Sequence, residues 1–180
     1  MSPSARSLRE GSIHKIDLKL VFNLFTMTKA ELLLKTALCC MASDGTIAPE
    51  EIDILNRVII TKPIFESVNA PDMLKEFSMA LTNTGMSFVD GFLLEVENSG
   101  LSKEDALELI DVAFNTIEAD NEIEYAEVAF FKKIRSRLSV TDDEILARWP
   151  DKEDFLLPDI MDKTPFEIDF SGINFNTLIS

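Results

Sequence analysis

Histidine, cysteine and positive charge are all scarce in this sequence, and each shortage removes a class of function. His14 is the only histidine, and the adjacent Cys39 and Cys40 are the only cysteines. A structural zinc site of the usual four-ligand kind therefore has nothing to be built from. Neighbouring positions of a helix face different ways, so the two thiols are expected to be free, with at least one serving as core packing. Lys and Arg total 17 against 32 Asp and Glu, a formal charge of −15. Such a surface repels phosphate backbones and anionic lipid heads, so nucleic acid is not expected as a partner. No apolar run reaches the roughly 18 residues of a membrane span. Met1 to Glu10 lack the apolar centre of a signal peptide, so direct membrane insertion is not expected and the location is read as cytoplasmic. The chain has no phosphate-binding glycine loop and no G-x-S-x-G elbow, and His14 lies far in sequence from any candidate nucleophile. A non-catalytic protein is expected.

What is present is helical. A chain of 180 residues fits one compact domain with short appendages. Residues 1–27 read as an N-terminal arm, although Ile13 to Phe25 has mixed strand and helix periodicity and leans to helix. Thr28-Lys29-Ala30-Glu31 is a capping box opening a helix to about Ala42. Pro49 starts the next, ended by Lys62-Pro63, and Pro71 starts a third, closed by Asn83-Thr84-Gly85. A fourth covers about Ser87 to Val96, Ser102 caps a fifth, and Val128, Phe131, Ile134 and Leu138 mark a sixth. Thr141 to Glu144 is another capping box, on a short helix carrying Trp149. The expectation is an all-α bundle of about seven helices in residues 28–150. Residues 151–180 form a tail, in which Phe166, Ile168 and Phe170 alternate with Glu167 and Asp169. That pattern suits a strand or an extended segment laid on a surface. It either packs on its own bundle or docks on a partner or a sister chain, which would make a homo-oligomer.

Asp44-Gly45-Thr46-Ile47-Ala48-Pro49-Glu50-Glu51 returns 76 residues later as Asp120-Asn121-Glu122-Ile123-Glu124-Tyr125-Ala126-Glu127, which implies two copies of a helix-loop-helix unit, a pseudo-twofold repeat. If Ala48 and Glu124 are N-caps, Glu51 and Glu127 fall at the third helical position, where a carboxylate favours exposed amides. Ile47 with Ile52, and Ile123 with Val128, then form hydrophobic staples. Gly45 and Asn121 suit a left-handed backbone. Asp44 and Asp120 are less at ease, because each lies at the negative end of its helix. Two compensations are open: a local Asx-type hydrogen bond to the amides just beyond, or a bound divalent cation held by hard oxygen ligands. Eight residues are too few to wrap calcium as a twelve-residue EF-hand loop does. A cation would have to be shared between the loops or held with water. Glu118, Glu122 and Glu124 add like charge around the second copy, which favours a cation or a basic partner.

Residues Ala42 to Glu51, with Ile117 to Ile123, resemble the paired acidic motifs, each like Asp-Gly-x-Ile-x-x-x-Glu, of the TerB family of tellurite-resistance proteins. Relatives of that family include the N-terminal domain of membrane-anchored DnaJ-like co-chaperones. The resemblance covers about Thr28 to Arg148. It implies an all-helical binding module that takes a divalent metal, calcium foremost, and a non-catalytic role in stress-response or membrane-associated complexes with a protein partner. Carried over by position, it implies Asp44, Glu51, Asp120 and Glu127 as the metal residues. Ala48 departs from the Ser or Thr common at that cap, and Asn121 from the glycine of the second motif. The alternative is an adaptor that engages a partner through its acidic face or tail, its loops serving only as helix caps.

Overall fold

A computed structural model describes residues 27–158 and 166–179. The stretch Ile13 to Phe25 lies outside the described residues. Seven α-helices occupy the predicted bundle: α1 (Lys29–Met41), α2 (Pro49–Thr61), α3 (Ala70–Thr84), α4 (Met86–Asn98), α5 (Lys103–Ile117), α6 (Tyr125–Arg135) and α7 (Asp142–Arg148). A one-turn α8 (Glu153–Leu156) follows, and 3₁₀ turns cover Pro63–Phe65, Phe170–Gly172 and Phe175–Ile179. No strand occurs among the described residues.

The helix boundaries follow their caps. Thr28 and Thr141 each form a full capping box, with Glu31 and Glu144. Ser102 accepts from the Asp105 N–H at the start of α5. The third helix begins one residue before Pro71, because Asn69 is the cap and accepts from the Asp72 N–H. Gly85, at φ +52°, is the only residue between α3 and α4. A left-handed glycine there turns the chain sharply enough to start a new helix at once.

Helix α1 is the axis of the bundle. From Leu32 to Ala42 every residue is buried, and Lys35 is the most exposed of them at 9%. A helix apolar on all sides must be surrounded, and α2 to α6 all pack against it, α5 most extensively. Lys35 keeps its charge inside this shell by pairing with Glu95 at 2.9 Å and lying 4.9 and 5.1 Å from the ring centres of Phe77 and Phe88. At the beginning of α1, Lys29 pairs with Asp105 and Glu108 near the beginning of α5. The two central helices therefore run side by side in the same direction. Cys39 and Cys40 are both free and fully buried, and burial pushes both thiols well above their ordinary range. They behave as core side chains rather than nucleophiles.

An aromatic cluster locks α5, α6 and the segment after α7 together. Phe114 meets Phe131 at 4.7 Å, Trp149 at 5.4 Å and Phe155 at 5.1 Å between ring centres. The tail also rests on the bundle. Phe166 to Asp169 forms neither helix nor strand, and Ile168 and Phe175 are buried in the same core as the helices. Among the described residues no helix is long and apolar enough to cross a membrane. Because Phe114 is 2% exposed at the centre of three ring contacts, Phe114→Ala is expected to cost about 3–5 kcal/mol. Urea unfolding followed by the fluorescence of Trp149, the sole tryptophan, checks this, and a cost below about 1 kcal/mol would contradict the cluster's role.

Candidate functional site

Two acidic loops leave the same end of the bundle. The first joins α1 to α2 and the second joins α5 to α6, and the parallel run of α1 and α5 brings both to one place. The loops adopt one local geometry. The Thr46 N–H donates to Asp44 Oδ1 at 2.7 Å, and the Glu122 N–H donates to Asp120 Oδ1 at 2.9 Å. The Ala48 N–H donates to Glu51 Oε2 at 2.6 Å, and the Glu124 N–H to Glu127 Oε2 at 2.8 Å. Gly45 has φ +91° and Asn121 φ +63°, and Asn121 is the one described non-glycine residue with positive φ. Asparagine tolerates that conformation better than other side-chain-bearing residues.

The local compensation expected for the aspartates is thus realised in both loops, as Asx-type hydrogen bonds. Thr46 Oγ1 adds a second bond to Asp44 Oδ2, at 2.7 Å. The caps are only half-boxes. Ala48 has no side-chain oxygen to offer, and Glu124 makes no side-chain cap bond. Each loop therefore depends on Glu51 or Glu127 reaching back to the cap amide. The staples are unequal: Ile47 packs against the core, but Ile123 is 50% exposed. Ile123 lines an open groove of about 460 Å³ with Ile54, Asn115 and Asn121. The spacing of apolar residues carries no signal for that difference, because it depends on what covers each loop.

The electrostatics bring all four predicted residues together. Glu51 and Glu127 are each 5% exposed. Burial first, then the charges of Glu127, Asp44 and Asp120, push the Glu51 carboxyl up to about 8, against the pull of the Ala48 N–H. Burial first, then the charges of Asp44, Asp120 and Glu124, push the Glu127 carboxyl up to about 7, against the pull of the Glu124 N–H. No ion pair among the described residues reaches any of the four. Glu118, in the second loop, pairs instead with Lys152, which also meets Asp151. The carboxyl-terminal, negative ends of α1 and α5 add to the same field.

The donor set suits a hard divalent cation. It is made of carboxylates, without thiolate or imidazole, and hard cations take oxygen ligands. Asp120 Oδ2 and the Oε1 atoms of Glu51 and Glu127 accept no hydrogen bond from a described residue. The side chains are not pre-assembled, however. Among the described residues no three His, Cys, Asp or Glu side chains are placed to hold a metal ion as they stand. A cation would draw the carboxylates inward by side-chain rotation.

The raised carboxyls set a pH dependence. The folded chain holds protons on Glu51 and Glu127 that an unfolded chain releases near 4.5. The fold therefore binds more protons than the unfolded state between that value and about 8. Its cation-free stability is fully present below pH 4.5 and falls as pH rises through this window. Glu51→Gln keeps an oxygen for the Ala48 N–H and removes the charge. Denaturant unfolding in chelator at pH 5.5 and 8.5 is expected to show a flatter pH dependence for this variant. An unchanged slope would overturn the assignment.

No curated protein and no solved structure matches the chain. The model of one family, tellurite resistance protein TerB, matches residues 32–148, which run from the first turn of α1 to the last residue of α7 and enclose both acidic loops. The all-helical bundle and that match together place the chain in the TerB family.

Proposed function

We propose that the protein is a non-catalytic helical binding module whose paired acidic loops take a divalent cation, calcium being the ion their chemistry suits best. The observation that carries this reading is the meeting of two buried carboxylates, Glu51 and Glu127, with the charges of Asp44 and Asp120, with no ion pair to any of the four among the described residues. A cluster of like charge in a poorly solvated place is relieved either by protons or by a cation. Near neutral pH a divalent ion would displace the protons held by the two glutamates and supply the missing positive charge. Calcium accepts irregular oxygen sets and bound water more readily than magnesium, which fits loops too short to enclose an ion alone. Membership of a tellurite-resistance family supports a task in stress response, carried out in the cytoplasm through a protein partner.

A second reading is favoured by the hydrogen bonds. Every one of the four acids already binds a backbone amide of its own loop, so the motif also serves as turn and cap. In that case the protein is an adaptor, engaging a basic partner through its acidic end.

A thermal-unfolding panel separates the two. Chelator-treated protein is expected to gain stability from added calcium, about 2.7 kcal/mol at a hundredfold excess over the dissociation constant. Asp44→Asn and Asp120→Asn should each remove most of that gain. Absence of any shift with millimolar calcium, magnesium, manganese or zinc would leave the adaptor reading in its place.

A further inference from the structure

The tail beyond the family match is held on the bundle by side chains at alternate positions, as a bound peptide would be. The Phe166 ring stacks on Phe130 of α6, with centres 5.8 Å apart and planes at 19°, and Lys133 Nζ lies 4.9 Å from the Phe166 centre. Ile168 is 8% exposed, and Phe170 covers Gly85, where a Cβ would meet its ring at 3.4 Å. Glu167, Asp169 and Ser171, between them, are exposed. The Asp169 backbone lies against Gly45, where a Cβ would come within 3.0 Å of its carbonyl oxygen. Further on, Phe175 is 7% exposed and the turn that it opens rests on α3. Hydrogen bonds of the tail backbone close within the tail, from the Ser171 N–H to Asp169 Oδ1 at 3.0 Å and from the Ile173 N–H to the Phe170 carbonyl at 3.3 Å. The bundle thus offers a seat, running from α6 past Gly85 to α3, for a segment with apolar residues at every second position.

The seat is loosely filled at its far end. Between the tail and α3 a cleft of about 280 Å³ remains, lined by Ser78, Met79, Thr82, Ile173 and Phe175 among others. The Ser78 hydroxyl is buried without a hydrogen-bond partner, and Met79 is 56% exposed. A tightly made core leaves neither. We infer that this seat is an interaction surface between two copies of the chain, in which the tail of each copy, Phe166 to Ile179, takes the place of the other's. The occupant follows from what the seat holds. A ring on Phe130, an aliphatic side chain in the core and a second ring on Gly85 are what it accepts, and every copy of the chain carries them in that order. Mutual exchange of tails leaves both seats filled, uses the same patch on both partners and closes on itself as a dimer. The open cleft beside α3 reduces the contacts given up when a tail leaves its seat. A covalently joined tail meets its own seat at an effective concentration on the order of millimolar, so exchange between copies grows as the protein concentration rises. None of this depends on what the acidic loops bind.

Sedimentation of the full-length protein from micromolar to millimolar concentration tests the exchange, with a free synthetic peptide of residues 164–180 as competitor. A dimer is expected to grow with concentration, and about a tenfold excess of the peptide should return it to monomer. Ile168→Asp, which removes the middle anchor of the tail and leaves the seat as it is, should stay monomeric. Phe166→Ala, whose own tail competes less well, should bind the labelled peptide roughly tenfold more tightly than the wild type. Monomer throughout the range overturns the inference. Peptide bound without any dimer overturns the second copy as occupant and assigns the seat to a segment of a different protein. A dimer that the peptide fails to dissociate overturns it as well, because the interface then lies elsewhere. Wild-type sedimentation with and without the peptide decides the matter even if a variant unfolds.

Discussion

Complete burial of α1 is the constraint on which the rest of the molecule depends. Leu32 to Met41 places apolar or small side chains on every face of the helix, with Lys35 as the one charge. Such a helix has no side to give to water, so five others must enclose it. Lys35 is tolerated because Glu95, Phe77 and Phe88 meet its ammonium at the rim. A buried charge without those partners would cost several kcal/mol. The closest companion of α1 is α5, and the pairing of Lys29 with Asp105 aligns their starts. The acidic end of the molecule is a consequence of that alignment, because two helices of similar length that begin together also end together.

At that end, stability and chemistry pull against each other. The acidic loops are held by hydrogen bonds that any well-made helix-turn-helix uses, from Thr46 and Glu122 to the aspartates and from Ala48 and Glu124 to the glutamates. The same folding gathers Glu51 and Glu127, each 5% exposed, beside two further acids. Packing energy from α1 and α5 sustains this, since the repulsion among the carboxylates is small beside the apolar area that the two helices bury. A site destabilised in this way is stabilised by whatever neutralises its charge.

Much of the fold was legible in the sequence for local reasons. Thr28, Ser102 and Thr141 announce helix starts because a hydroxyl in that place satisfies orphan amides whatever lies around it. At the third helix the sequence signal is Pro71, one residue inside the observed start, because proline is a stronger mark than the capping Asn69. The left-handed turns at Gly45 and Asn121 and the half-caps at Glu51 and Glu127 were likewise readable, being interactions within three residues. The staple at Ile123 was not, since its exposure depends on the absence of a covering segment, and no pattern within the loop records that.

Residue order alone thus determined where the helices begin and end, which face of each is apolar, and that Asp44, Glu51, Asp120 and Glu127 occupy matching places in two loops. These are properties of short stretches, decided by propensity, capping and backbone sterics. Tertiary structure alone decided that α1 and α5 run parallel, that the charges of Glu127, Asp44 and Asp120 consequently reach the buried Glu51, and that the Asp169 backbone comes against Gly45. The physical reason is range. Burial, like-charge repulsion and close backbone contact act between residues tens of positions apart, and they come into being only when packing around α1 has brought those residues together.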